Sequence, residues 1–136
     1  MRLTSKLKSK LAERKAITFP GAANAMFARV IEDLGFEACY VTGAGIANMH
    51  LGAPDIGLTT LTEIANATAA ISDAIALPLL VDADTGFGNP VNMHRTVKVL
   101  ERAGAAGIQI EDQVFPKKCG HFNGKDVIPL PEMIAK

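Results

Sequence analysis

Tryptophan is absent from this chain, tyrosine occurs once, at Tyr40, and cysteine twice, at Cys39 and Cys119. Two cysteines in such unlike surroundings make no disulfide framework, and a reducing cytoplasmic setting is the expectation. Cys119 and His121 resemble half of a zinc site, but no second ligand pair stands at a suitable spacing. Net charge is also lacking: fourteen basic residues meet fourteen acidic ones, so electrostatics give no reason to expect nucleic acid or an anionic membrane as partner. No apolar run approaches the roughly 18 residues of a membrane span, and no secretory signal is read. A complete dinucleotide fingerprint is missing as well, since Gly43-Ala44-Gly45-Ile46-Ala47-Asn48 lacks the last glycine and follows the second strand rather than the first.

What remains is an ordinary globular balance, 49% hydrophobic and 21% charged over 136 residues, enough for one domain with a core. Basic residues crowd the start, where Arg2, Lys6, Lys8, Lys10, Arg14 and Lys15 face only Glu13. Leu3, Leu7 and Leu11 recur there at helical spacing, which reads as an N-terminal helix over about 4–15 with a solvated basic face; a transit peptide is the alternative.

Short apolar runs at about 16–19, 38–42, 79–83 and 107–111 read as buried strands alternating with helices. Met26, Phe27, Val30, Ile31 and Leu34 form one predicted helical face, closed by Gly35. Thr60-Leu61-Thr62-Glu63 has the form of a capping box ahead of Leu61, Ile64, Thr68, Ile71 and Ile75. Asn89-Pro90 opens a third helix, with Met93, Val97 and Leu100 facing inward and Gly104 at its end. Continuously apolar strands alternating with helices imply a parallel sheet buried on both faces.

Polar residues gather after each strand, at Pro20-Gly21, Thr42-Gly43, Asp82-Ala83-Asp84 and Glu111-Asp112. That pattern favours the carboxyl rim of a (β/α)8 barrel over an open doubly wound sheet. Asp82 and Asp84 at the end of Leu79-Leu80-Val81 are predicted to project to one face. Two hard carboxylates so placed suit magnesium, whose remaining positions go to water or substrate; turn capping by the aspartates is the alternative.

The combination of Tyr40-Val41-Thr42-Gly43, Asp82-Ala83-Asp84-Thr85-Gly86-Phe87-Gly88, Ile110-Glu111-Asp112-Gln113 and Lys117-Lys118-Cys119-Gly120-His121 resembles the isocitrate lyase/phosphoenolpyruvate mutase superfamily. Within it the chain is most similar to the methylisocitrate lyase, dimethylmalate lyase and oxaloacetate hydrolase-like branch, over about Leu7 to Ile134. The resemblance implies magnesium, or manganese in its place, held by Asp82 and Asp84 with Glu111 and with Asp55 near the metal shell. It also implies a substrate carboxylate bound at Thr42, Gly43 and Ala44, with Gly120 and His121 on the substrate side. The family more often has serine and glycine where Thr42 and Ala44 stand. Residues 115–126 would be a gating loop whose Cys119 is general acid or base, and Tyr40 would face the reacting carbon or its oxygen as a candidate for the first proton transfer. Cys39, His50 and His94 are expected to be structural or surface residues.

The implied chemistry is retro-aldol cleavage of a 2-hydroxy or 2-oxo di- or tricarboxylate, in a homo-oligomer, a tetramer for the complete enzyme. A carboxyphosphonate-type phosphonomutase and a catalytically silent half-barrel are the alternatives. A complete barrel takes roughly 250 residues, so residues 1–136 are expected to supply about the first four βα units, the N-terminal half of a single barrel domain. Such a half leaves sheet edges that favour self-association.

Overall fold

The computed structural model describes residues 2–136. Helix α1 (Leu3–Ala12) is followed by β1 (Gly21–Ala22), α2 (Ala25–Asp33), β2 (Cys39–Val41) and a short helix α3 (Gly43–Ile46) that runs on as a π-helical turn (Ala47–Leu51). Then come α4 (Leu61–Ala74), β3 (Leu79–Asp82), α5 (Pro90–Arg102), β4 (Ala105–Gln109) and α6 (Leu130–Ala135). The strands make one parallel sheet in the order β1-β2-β3-β4, with Tyr40 beside Gly21 and Leu80, and Val81 beside Ile108. A doubly wound sheet reverses its strand order at a switch point. This order never reverses, as in the first four βα units of a (β/α)8 barrel.

Alternation along the strands divides the sheet into two faces. Cys39, Val41, Leu79 and Val81 are fully buried and pack with Ala28, Ile31, Ile64, Ile71 and Leu100 from the helices, while Tyr40, Leu80 and Asp82 on the other face are only partly covered. Part of that cover comes from α1: a Cβ added at Gly107 would lie 3.0 Å from Leu7 Cδ2 and 3.3 Å from Leu80 Cδ1, so the helix seats directly on β4.

The helix boundaries follow from their caps. Thr60 Oγ1 accepts the Glu63 N–H (3.3 Å) and Glu63 Oε2 accepts the Thr60 N–H (2.7 Å), completing the expected box at α4. Asn89 Oδ1 accepts from the N–H groups of Val91 and Asn92, with Pro90 in the first turn of α5. Gly104 ends α5 at φ +105°, and a Cβ there would stand 2.0 Å from Ser72 Oγ of α4. Both the turn and the close helix approach require glycine. Arg29 Nη1 donates to the Ala74 carbonyl and Glu32 accepts from the Ala76 N–H, which ties α2 to the end of α4.

Several boundaries and one face differ from the sequence-based expectation. The first strand lies at Gly21–Ala22 instead of 16–19, because the ladder to β2 runs through the carbonyls of Pro20 and Ala22, and Pro20 needs no N–H for that. The last strand starts at Ala105, directly after Gly104, instead of at 107; its small residues carry little β propensity to announce it. α1 stops at Ala12, short of residue 15. On α2 the buried residues are Ala28 and Ile31, while Met26, Phe27, Val30 and Leu34 are exposed, so the helix turns its small side toward the sheet. On α5, Met93, Thr96 and Leu100 are inside and Val97 is exposed. No described helix is long and apolar enough to cross a membrane.

The reassigned face of α2 makes a direct prediction. In urea unfolding, Ile31→Ala should cost about 2–5 kcal/mol, as deletion of a buried branched side chain does, whereas Leu34→Ala should stay within roughly 0.5 kcal/mol as an exposed change.

Candidate active site

β3 delivers its last residue, Asp82, to the same face as Leu80 and, across the ladder, Tyr40. Both Asp82 oxygens are oriented by main chain: Oδ2 accepts the Gly43 N–H (3.2 Å) and Oδ1 the Asp84 N–H (3.1 Å). Gly43 has to be small here, since an added Cβ would meet Asp82 Oδ2 at 3.0 Å. Beyond Asp82 the chain leaves the strand. Asp84 takes φ +46°, a left-handed conformation that aspartate tolerates better than most residues. Three main-chain bonds fix it: Ala83 N–H to Gln109 O (2.9 Å), Gly86 N–H to Ala83 O (2.8 Å) and Glu111 N–H to Asp84 O (2.7 Å). The turn, more than strand alternation, therefore brings Asp84 beside Asp82.

Lys117 is the residue whose placement the sequence did not disclose. Its side chain is almost completely buried, and its ammonium lies 2.5 Å from Asp55 Oδ1 and 2.7 Å from Asp84 Oδ1. No hydrogen-bond donor is aligned on Asp84 Oδ1 among the described residues, so the contact with Lys117 is one of charge. Thr59 Oγ1 donates to the other oxygen at 3.4 Å. Burial raises the Asp84 carboxyl from its ordinary value; Lys117 opposes that shift, and Asp82 and Asp55 add to it. For Lys117, burial works against the charge, but the contacts with Asp55 and Asp84 outweigh it and hold the ammonium well above its ordinary value.

Glu111 follows β4 and is half-buried, with Oε2 accepting from Gln113 Nε2 at 2.5 Å. Burial raises its carboxyl, Lys117 and Gln113 lower it, and Asp82 and Asp84 raise it again. The Tyr40 hydroxyl is pushed upward by burial first, then by Asp82, Glu111 and Asp84. At neutral pH it is a phenol, suited to donate a hydrogen bond to a forming oxyanion and poorly suited to be a base. Next to it, Thr42 caps α3 by accepting the Gly45 N–H on Oγ1 (3.1 Å). With the Gly43 N–H committed to Asp82 and the Gly45 N–H to Thr42, the Ala44 N–H is the remaining first-turn amide of α3.

The expected gating loop, 115–126, is closed at its base. An antiparallel bridge joins Gln113 to Val127, flanked by Val114 N–H to Asp126 O and Ile128 N–H to Asp112 O, both 2.8 Å. The Gln113 amide holds both the N–H (3.0 Å) and the carbonyl (2.9 Å) of Lys118. Cys119 is half-buried, its N–H donates to Asp55 O (3.0 Å) and its Sγ is 3.2 Å from His121 Nδ1. Gly120 and His121 are exposed. Cys39 is fully buried, and burial lifts its thiol to about 11. His50 and His94 lie at the surface, as expected.

These side chains fit a hard dication. Lys117 brings one positive charge against Asp55, Asp82, Asp84 and Glu111, and the partly buried site stays strongly anionic. No three His, Cys, Asp or Glu side chains among the described residues enclose an ion by themselves. Magnesium needs no such cage: one or two carboxylates suffice, with water and substrate oxygens completing its shell.

Comparison with known proteins gives concordant results. The family described as "Phosphoenolpyruvate phosphomutase" matches residues 7–136. A 2,3-dimethylmalate lyase of Eubacterium barkeri is 49% identical over all of this chain and 47% of its own length. A 2-methylisocitrate lyase of Aeropyrum pernix is 49% identical over 96% of this chain and 42% of its own. Among solved structures, a phosphonopyruvate hydrolase in complex with oxalate and Mg++ superposes with TM-score 0.88 at 29% identity, over 99% of this chain and 46% of that one. The chain thus spans less than half the length of the relatives it matches.

The two cysteines should separate cleanly. Under native conditions Ellman's reagent should modify Cys119 and leave Cys39 unreacted until denaturant is added, and Cys39→Ser should cost about 1–3 kcal/mol by placing a hydroxyl among apolar side chains.

Proposed function

The chain belongs to the phosphoenolpyruvate phosphomutase family, and we propose that it carries the metal-binding rim and gating cysteine of a magnesium-dependent lyase. The substrate would be a 2-hydroxy or 2-oxo dicarboxylate or tricarboxylate, cleaved at a carbon–carbon bond. The observation that supports this best is the convergence of Asp82, Asp84 and Glu111 on Tyr40 at the ends of three neighbouring strands, with more negative charge than Lys117 balances. Asp82 and Asp84 would hold the ion, Glu111 standing behind them. Bound there, magnesium supplies Lewis-acid stabilisation of a substrate carboxylate and its neighbouring oxygen.

The chain's own residues account for the rest of the chemistry. Ala44 N–H and the Thr42–Gly43 turn receive a substrate carboxylate. Tyr40, kept protonated by burial and the acids around it, donates to the oxygen on which charge develops. The hydroxyl proton passes to a carboxylate of the cluster; Glu111, which stands behind the two aspartates and is not paired with Lys117, takes that role. Cys119 then delivers a proton to the carbon left behind while the loop excludes water. The identity to dimethylmalate and methylisocitrate lyases supports this choice of reaction over phosphonate transfer.

Two substitutions in the intact protein test this reading. With 2,3-dimethylmalate or 2-methylisocitrate as substrate, Asp82→Asn should abolish magnesium-dependent product release while leaving the fold intact by circular dichroism. Cys119→Ser should lower kcat by about 100-fold or more, the usual worth of a positioned acid or base. Full activity in both variants would refute the assignment.

A further inference from the structure

The buried ammonium of Lys117 stands between two parts of the molecule that are otherwise joined here only through the Thr59 hydroxyl on Asp84. On one side lies Asp84, in the acid cluster at the end of β3; on the other lies Asp55, in the segment between the π-helical turn and α4. Asp55 also receives the loop through its main chain, by the bond from Cys119 N–H to its carbonyl. Lys117 and Cys119 are thus fastened to the same residue, one by charge and one by the backbone. Gln113 grips Lys118 between them from the β4 side. The segment 117–119 lies over the acids with its one buried positive charge on Asp55 and Asp84.

Building on the magnesium site proposed above, we propose that Lys117 is a positioning residue, a tethered counter-cation whose hold on Asp84 competes with metal and so links metal occupancy to the seating of Cys119. A dication beside Asp82 and Asp84 repels the ammonium and draws on the carboxylate that Lys117 contacts. Lys117 then keeps Asp55 and loses Asp84, so until substrate closes it the loop has one charge contact fewer and loosens. Thermodynamic reciprocity then requires the converse: removing the Lys117 charge must strengthen metal binding by the same factor by which metal weakens the loop contact.

The test is titration calorimetry of the intact protein with magnesium and with manganese, for wild type, Lys117→Met and Lys117→Arg. Lys117→Met should bind either metal at least about fivefold more tightly, the lower end of ordinary coupling between sites. Lys117→Arg, which keeps the charge, should bind close to wild type. In parallel, metal should accelerate alkylation of Cys119 by iodoacetamide in wild type, whereas in Lys117→Met the reaction should be fast with or without metal. The buried Cys39 thiol serves as an internal control.

Should Lys117→Met fail to fold, the wild-type alkylation rates and the Lys117→Arg titration decide the matter: no metal effect on Cys119 overturns the coupling. A wild-type protein that binds neither metal removes the magnesium site, and this inference with it. Wild-type binding with unchanged or weaker affinity in Lys117→Met overturns the coupling alone and leaves the magnesium site standing.

Discussion

Carboxylates at the end of an apolar strand are costly unless something cationic or hydrogen-bonding meets them, and that cost organises the carboxyl rim of this molecule. Asp82 is met by two main-chain N–H groups, Asp84 by Thr59 and the Lys117 ammonium, and Asp55 by the same ammonium. The loop after β4 is bent back over the sheet in a way that lets Lys117 reach both acids from the interior. Its path, its clasp by Gln113 and the position of Cys119 all accompany that single buried charge. The remaining negative charge gives the rim its chemical character.

The fold was legible where a local signal had a physical mechanism. The capping box at Thr60-Glu63 and the Asn89-Pro90 start announced α4 and α5, because side chains satisfy helix amides at fixed spacing. The β3 run stood out for its branched apolar residues. By contrast, β1 is two residues long and is defined by which carbonyls meet β2, a tertiary matter that no local pattern records. On α2 the large apolar residues suggested the buried face, yet the sheet accepts Ala28 there; helix–sheet proximity favoured the small side chain over the hydrophobic one. The turn through α3 into π-helical Ala47–Leu51 left no sequence signal beyond Gly43 and Gly45.

At the site, residue types pointed to Asp82, Asp84, Glu111 and Tyr40, and the sheet brings them together. Strand alternation was the wrong reason for Asp84, which reaches its place by a left-handed turn. Asp55 was expected near the metal shell and stands beside Lys117. Lys117 itself entered the sequence reading only as part of the Lys117-Lys118-Cys119-Gly120-His121 motif. A buried lysine is uncommon unless paired, and its two partners, Asp55 and Asp84, lie far away in sequence.

The central claim is that the acids at this rim form a site for a hard divalent cation despite the ammonium already among them. Anomalous diffraction from crystals of the intact protein grown with manganese tests it most directly. The account predicts a single strong peak within roughly 2.1 Å of an Asp82 or Asp84 oxygen, the rest of its shell made of water, with Lys117 drawn toward Asp55. A peak elsewhere, or none at saturating manganese while Lys117 still bridges Asp55 and Asp84, would contradict it.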